Sequence, residues 1–253
     1  MRDPVRVYCL PHAGGSAASY RPWSGPAEQY GLDLVPIELP GHGTRRGEPL
    51  PGTMKELVDG VLAVLASRPS DEAFLLYGHS MGAQVAYETA RRLAFGLRPM
   101  PLGLVVSGSR PPGRLDTARL QSASDRELLA HLDLMGGTPA ALLRHKHAAR
   151  LILPVLRADL ALLTAFSALA LAEMLPCPIT ALGGASDRFA GPEWISAWES
   201  LTSDRFHHRI LPGGHFFPHA DPDAVLAAIA SHRVPRDGEE VSAREPGSPR
   251  PRR

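Results

Sequence analysis

A chain of 253 residues and 27.2 kDa is long enough to bury one full hydrophobic core, and a single large domain is the expectation. With 27 basic against 26 acidic residues and a formal charge of +1, no bulk field draws nucleic acid or an anionic membrane, so partners must be recognised locally. Cys9 and Cys177 supply neither a disulfide framework nor metal-ligand spacing.

Met1 to Tyr8 carries Arg2, Asp3 and Arg6 and lacks the apolar stretch and cleavage site of a secretory signal. No apolar run approaches the ~20 residues that span a bilayer, and a soluble cytoplasmic protein is expected. Val5 to Leu10 reads as the first strand, followed by Leu32 to Leu39, Ala73 to Tyr77, Leu102 to Ser107, Ile179 to Leu182 and Phe206 to Leu211. Thr53 to Ala66, Met81 to Phe95 and Pro192 to Leu201 carry helical periodicity between them. Strand and helix in alternation predict an α/β architecture, a mostly parallel sheet with helices on both faces.

Alternation stops between Pro111 and Leu175, where helix signals occur without a strand. Ser124 and Glu127 make a capping box, Thr138 before Pro139 starts another helix, and Pro154 interrupts the Leu- and Ala-rich stretch Ala140 to Met174. An all-helical insertion between sheet strands reads as a lid over the carboxyl edge of the sheet, where ligands sit in such folds, with padding of one sheet face as the alternative. From Val234 to Arg253 the composition turns to Arg, Glu, Pro, Gly and Ser, too polar to offset its ordering entropy, and a disordered tail is expected.

Gly78-His79-Ser80-Met81-Gly82 fits the G-x-S-x-G nucleophile elbow, a pattern common by itself. Its context is specific: it follows a strand and opens a helix, the strand-turn-helix setting that exposes a serine hydroxyl at the sheet edge. Side chains in place of the flanking glycines are expected to collide with neighbouring elements. A serine needs a base to take its proton and a carboxylate to orient that base, in chain order Ser, Asp, His. His215, in Leu211-Pro212-Gly213-Gly214-His215, follows the last strand on a loop whose glycines let an imidazole approach the elbow. His207 and His208 lie within the strand, and His219 and His232 sit near or on the last helix with solvated-face readings. Asp187 follows the preceding strand and is the expected orienter. Asp204 begins a strand at the wrong edge, and Asp159 falls in the lid, where an ion pair with Arg157 or another arginine is expected. Backbone amides of Ala13, in the loop Pro11-His12-Ala13-Gly14-Gly15-Ser16, and of Met81 are the expected oxyanion donors. That loop matches neither G-x-x-x-x-G-K-[ST] nor G-x-G-x-x-G, and His12 is expected to brace it.

Leu10-Pro11-His12-Ala13-Gly14-Gly15-Ser16-Ala17, Glu38-Leu39-Pro40-Gly41, the elbow with Ala83, Ser107-Gly108-Ser109-Arg110-Pro111-Pro112, Leu156-Arg157-Ala158-Asp159 and Pro212-Gly213-Gly214-His215-Phe216-Phe217 together resemble the type II thioesterases that accompany polyketide synthases and nonribosomal peptide synthetases. The likeness runs in order from about residue 5 to 232. It implies one α/β-hydrolase domain over residues 1–233, a helical lid at about 111–175, and a triad of Ser80, Asp187 and His215 with oxyanion amides at Ala13 and Met81. The implied activity removes aberrant or stalled acyl groups from the phosphopantetheine arm of an acyl or peptidyl carrier protein. The serine cycle requires no cofactor or metal of the enzyme's own; the charge balance leaves no nucleic acid or membrane partner expected, and a monomer is expected. Relatives commonly read Pro-Gly-Arg in the second loop, whereas this chain has Pro40-Gly41-His42, which leaves that loop's contacts open. The same triad serves an oxygen-ester hydrolase or an acyltransferase, and a silent hydrolase-fold binding module of a synthase is the alternative outside enzymology.

Overall fold

The computed structural model describes residues 3–96, 98–138, 140–169 and 173–233. Chain order runs β1 (Val5–Leu10), a 3-10 turn (Ala17–Trp23), α1 (Ser24–Gln29), β2 (Leu32–Pro36), α2 (Met54–Ala66), β3 (Phe74–His79), α3 (Met81–Phe95) and β4 (Leu104–Ser107). Then come α4 (Ala118–Gln121), α5 (Asp125–Met135), α6 (Ala140–Arg144), α7 (Lys146–Leu169), β5 (Ile179–Gly184), α8 (Pro192–Ser196), β6 (Phe206–Leu211), α9 (Phe217–Ala220) and α10 (Pro222–Ala230). The six strands pair in parallel, in the order β2-β1-β3-β4-β5-β6.

Both faces of the sheet are covered, which explains why β3 and β5 read as continuous apolar runs. Residue alternation along β1 sorts the two cores. Tyr8 and Leu10 join Leu76, Leu104 and Val106 with residues of α2 and α3, while Val7 and Cys9 join Leu75, Tyr77 and Val105 with Trp23 and α10. α2 starts where Thr53 accepts a hydrogen bond from the Glu56 amide, so the residue read as first in the helix is its cap.

β3 and β5 end later than expected, because apolar side chains mark a strand's middle and not its glycine-bearing end. β3 and β5 run on through His79 and Gly184, because β3 keeps its register with Leu10 and Ser107 and β5 with Leu211. β2 stops at Pro36, although Ile37 and Leu39 remain buried in the core beyond it. The Pro192 to Leu201 helix is α8 followed by a 3-10 turn over Ala197–Leu201.

Helices α4 to α7 fill the expected insertion and have a core of their own, made by Leu128, Leu132, Leu143, Leu153, Leu156 and Leu160. The capping box at Ser124 and Glu127 opens α5 as the sequence predicts. Pro154 does not interrupt: α7 is continuous through it, with Leu153 and Leu156 packed into one apolar stripe on either side. A second correction concerns membranes. His147–Ala168, inside α7, is long and apolar enough to cross a bilayer, because Arg150, Arg157 and Asp159 are spread too thinly to divide it. Its apolar stripe is spent inside the protein, where Leu153, Leu156, Leu160 and Leu163 are buried. Residues 234–253, expected to form a tail, lie outside the described residues, as does Pro139.

Candidate active site

The carboxyl end of the sheet collects the residues singled out above. Ser80 lies between β3 and α3 with φ 56° and ψ −115°, and is the one non-glycine residue with positive φ among the described residues. Such a conformation costs on the order of 1–3 kcal/mol and persists because its surroundings enforce it. Here the Ser80 amide donates to the Ser107 carbonyl at 2.8 Å and its carbonyl accepts from the Ala83 amide at 3.0 Å. The flanking glycines are steric necessities: a Cβ on Gly78 would fall 2.1 Å from the Gly82 carbonyl oxygen, and one on Gly82 would fall 2.0 Å from that of Leu10. Backbone cannot retreat there as a side chain could. Gly82→Ala is therefore expected to destabilise the fold by about 3 kcal/mol or more, read as a fall in the denaturation midpoint at unchanged slope.

His215 follows β6, and its Nδ1 donates to Asp187 Oδ2 at 2.9 Å, with both side chains buried. Asp187 sits on the loop after β5, where its Oδ1 accepts from the amides of Phe189 and Ala190 at 2.8 and 3.2 Å. Burial pushes the Asp187 carboxyl upward. The hydrogen bond and charge of His215, with the two amides, outweigh it and hold the group below its usual 3.8. His215 Nε2 is buried and meets no partner among the described residues, so the nitrogen opposite the carboxylate is uncommitted. Ser80, Met81, Ala13 and His215 line one cavity of about 730 Å³. Among the described residues, neither the Ala13 nor the Met81 amide donates to a protein acceptor.

The walls of this cavity come from both halves of the structure. Loops at the strand ends provide the polar floor, while Leu120, Met135, Ile152, Leu156, Leu160 and Leu163 of α4, α5 and α7 provide an apolar roof. Such a space suits a group that is apolar at one end and polar at the other. Among the described residues, no group of three or more His, Cys, Asp or Glu side chains gathers to hold a metal ion.

His12 packs edge-on against Phe216, ring centroids 4.8 Å apart, in keeping with a bracing role. Burial, with the nearby His219, His215 and His42, pushes its pKa down to about 3, so it is neutral. His79 escaped the sequence reading because the motif treats that position as a spacer. It is buried, its Nδ1 is 2.9 Å from Ser107 Oγ, which in turn is 2.8 Å from Tyr77 OH, and its ring lies 5.1 Å from that of His215. His232 is half-buried and corrects its solvated-face reading, since Nε2 lies 2.8 Å from Thr180 Oγ1 on β5.

Asp159 is also corrected. Among the described residues it pairs with no arginine: Oδ2 accepts from the Gly14 amide at 2.7 Å and lies 2.9 Å from His42 Nε2, while Arg157 pairs with Asp125. The missed signal was its spacing, because residues three and four from Leu156 and Leu163 share their buried stripe. His42, the departure in the second loop, is thereby placed against the lid-like helices.

The family model described as the thioesterase domain matches residues 5–232. The structure of the RedJ thioesterase from the prodiginine biosynthetic pathway in Streptomyces coelicolor is similar, with 35% identity, 90% of each chain covered and a TM-score of 0.82. The type II thioesterase BorB from the borrelidin biosynthetic cluster shares 33% identity over 92% of this chain and 94% of its own, with a TM-score of 0.80. Among curated proteins, a probable cadicidin biosynthesis thioesterase of Streptomyces griseus is 35% identical over 90% of this chain, and thioesterase PikA5 of Streptomyces venezuelae is 33% identical over 90%. This chain spans 62% of the length of the first and 80% of the second. A parallel sheet ending in a strained serine elbow, with matches of this extent, makes the chain a member of the thioesterase family of the α/β-hydrolase fold, on the side of its type II thioesterases.

Proposed function

We propose that this chain hydrolyses acyl thioesters carried on the phosphopantetheine arm of acyl or peptidyl carrier proteins, releasing aberrant or stalled groups during polyketide or nonribosomal peptide assembly. The observation that carries the reading is the buried His215–Asp187 pair at 2.9 Å, its Nε2 uncommitted, sharing a cavity with Ser80 on the elbow. His215 takes the Ser80 proton as Oγ attacks the thioester carbonyl, and the Ala13 and Met81 amides hold the oxyanion of the tetrahedral adduct. Collapse expels the carrier thiol, which receives the proton from His215. A water then gives a proton to His215 as its oxygen attacks the acyl-serine carbonyl, and collapse of this second adduct breaks the acyl–Oγ bond while His215 returns the proton to Ser80 Oγ, releasing the free acid. Asp187 keeps the imidazole in the tautomer with hydrogen on Nδ1 and stabilises the charged ring. No metal or redox group of the enzyme's own enters these steps.

Helices α4 to α7 act as the lid of a single domain over residues 1–233, and the arm enters between lid and sheet. The enzyme acts as a cytoplasmic monomer, with no nucleic acid or membrane partner. Turnover of matched acyl-pantetheine thioesters and oxygen esters, with and without an acceptor alcohol, tests the reaction class. Preference for the thioester with water as acceptor is expected. Faster ester cleavage, or transfer to the alcohol, would replace hydrolase by esterase or acyltransferase. Failure of a fluorophosphonate to label Ser80 would point to a silent binding module.

The apolar roof makes acyl length a property of the lid. Leu120→Trp is expected to lower kcat/KM for a long acyl chain about tenfold relative to a short one, since each displaced methylene is worth on the order of 1 kcal/mol. An unchanged chain-length profile would separate the roof from specificity.

A further inference from the structure

The hydrolytic cycle leaves one buried charged pair unused, and it joins the second loop to the lid. Asp159 on α7 is 4% exposed and His42 is 2% exposed. His42 Nδ1 lies 2.9 Å from the Pro40 carbonyl oxygen, and Nε2 lies 2.9 Å from Asp159 Oδ2. A carbonyl oxygen only accepts, so Nδ1 carries a hydrogen. A neutral ring would then aim the Nε2 lone pair at a carboxylate oxygen, which also only accepts. Both contacts are hydrogen bonds only when the pair holds one proton more, as an imidazolium facing a carboxylate.

The surroundings favour that charge state. Burial works against a charged ring, but the hydrogen bond and charge of Asp159, the Pro40 carbonyl and the charge of Glu38 outweigh it and raise the His42 pKa above 6.5. His12 faces the pair from the first loop as a neutral ring. The exposed Arg46 borders the small recess that His42 shares with Gly14, and Arg157 on α7 is engaged by Asp125 and the Ala123 carbonyl.

The same carboxylate oxygen that meets His42 also accepts from the Gly14 amide at 2.7 Å. Gly14 stands next to Ala13, has φ 69°, and lies against Leu156, whose Cβ would be 3.8 Å from a Cβ at Gly14. The Gly15 amide closes the turn on the His12 carbonyl at 2.9 Å. Among the described residues, Asp159 is therefore the one charged group of the lid that grips the loop carrying the first oxyanion amide.

We propose that Asp159 and His42 are positioning residues, a protonated latch that ties α7 to the Gly14 amide and so holds the Ala13 amide at the oxyanion site. This rests on the oxyanion role proposed for Ala13. The latch makes the donor's placement depend on a seated lid and on a proton held by His42. As a group with a raised folded pKa, His42 contributes its stabilisation fully below pH 6.5 and loses it as pH rises through the folded value.

Asp159→Asn and His42→Arg in the full chain test this, with the folded fraction counted by thermal denaturation and kcat and KM measured on an acyl-pantetheine thioester from about pH 6 to about pH 10. Asp159→Asn should lower kcat about 10- to 100-fold with KM within about threefold of the parent: without the carboxylate charge His42 gives up its extra proton, its Nε2 lone pair faces the amide oxygen that grips Gly14, and an oxyanion donor misaimed by that repulsion acts on the transition state alone. His42→Arg, charged at every pH, should keep at least about a third of the parent kcat near neutrality and remove the parent's alkaline decline. Parent-like kcat in folded Asp159→Asn, or an alkaline decline that persists in His42→Arg, would overturn the latch. Should His42→Arg not fold, the kcat of Asp159→Asn decides. Retained turnover in Ser80→Ala would instead defeat the underlying triad, whatever the latch variants do.

Discussion

Ser80→Ala is expected to cut kcat for an acyl-pantetheine thioester by about 10⁵- to 10⁶-fold, because the acyl-enzyme route closes entirely and His215 and the oxyanion amides have no nucleophile to serve. The fold should survive. Alanine keeps the Cβ, so the strain at φ 56° neither grows nor relaxes, and no side-chain hydrogen bond caps α3 from Ser80. The thermal midpoint should stay within about 2 °C of the parent, which corresponds to no more than about 1 kcal/mol for a chain of this size. Stopped turnover with an intact melt, together with loss of fluorophosphonate labelling, is the result required. Substantial residual hydrolysis would transfer the chemistry to another group, and with it the assignment of the elbow.

The second large effect belongs to Asp187. In Asp187→Asn the amide oxygen can still accept from Phe189 and Ala190, where Oδ1 accepts now, which turns the NH₂ toward His215 Nδ1. Two donors cannot face each other, so the ring must move its hydrogen to Nε2 and can no longer take the Ser80 proton. A loss of about 10⁴-fold in kcat near neutral pH follows, with KM little changed. Stability responds to pH in the opposite sense from the latch. The Asp187 carboxyl has a folded pKa below 3.8, so its contribution is present above that value and fades as pH falls through the folded one. The asparagine variant should lose this part of the acid dependence, measurable as a flatter midpoint-against-pH curve in acid. Equal kcat for the two carboxamide and carboxylate forms would remove Asp187 from the site.

The elbow and the loop glycines were legible because their physics is local. Gly78 and Gly82 stand two residues either side of Ser80, and the carbonyls that exclude side chains there belong to the turn itself and to β1 beside it. The same holds for the Ser124 capping box, closed between residues three apart. Strand termini were less legible, since β3 and β5 end in glycine and histidine whose place in the ladder depends on the neighbours in register, not on side-chain pattern.

By itself the sequence determined the parallel α/β plan, the strained serine, the candidates Asp187 and His215 and the helical insertion, because periodicity and turn chemistry act over a few residues. Tertiary structure alone decided which side chains meet across the insertion. It closed the Asp187–His215 hydrogen bond across 28 residues and left the buried Nε2 without a partner among the described residues, it turned the apolar stripe of α7 inward as a roof, and it set Asp159 against His42 across 117 residues. Contacts at such separation depend on how packed layers seat against one another, and a buried carboxylate on an apolar helix finds its partner only when that seating brings one within hydrogen-bond reach.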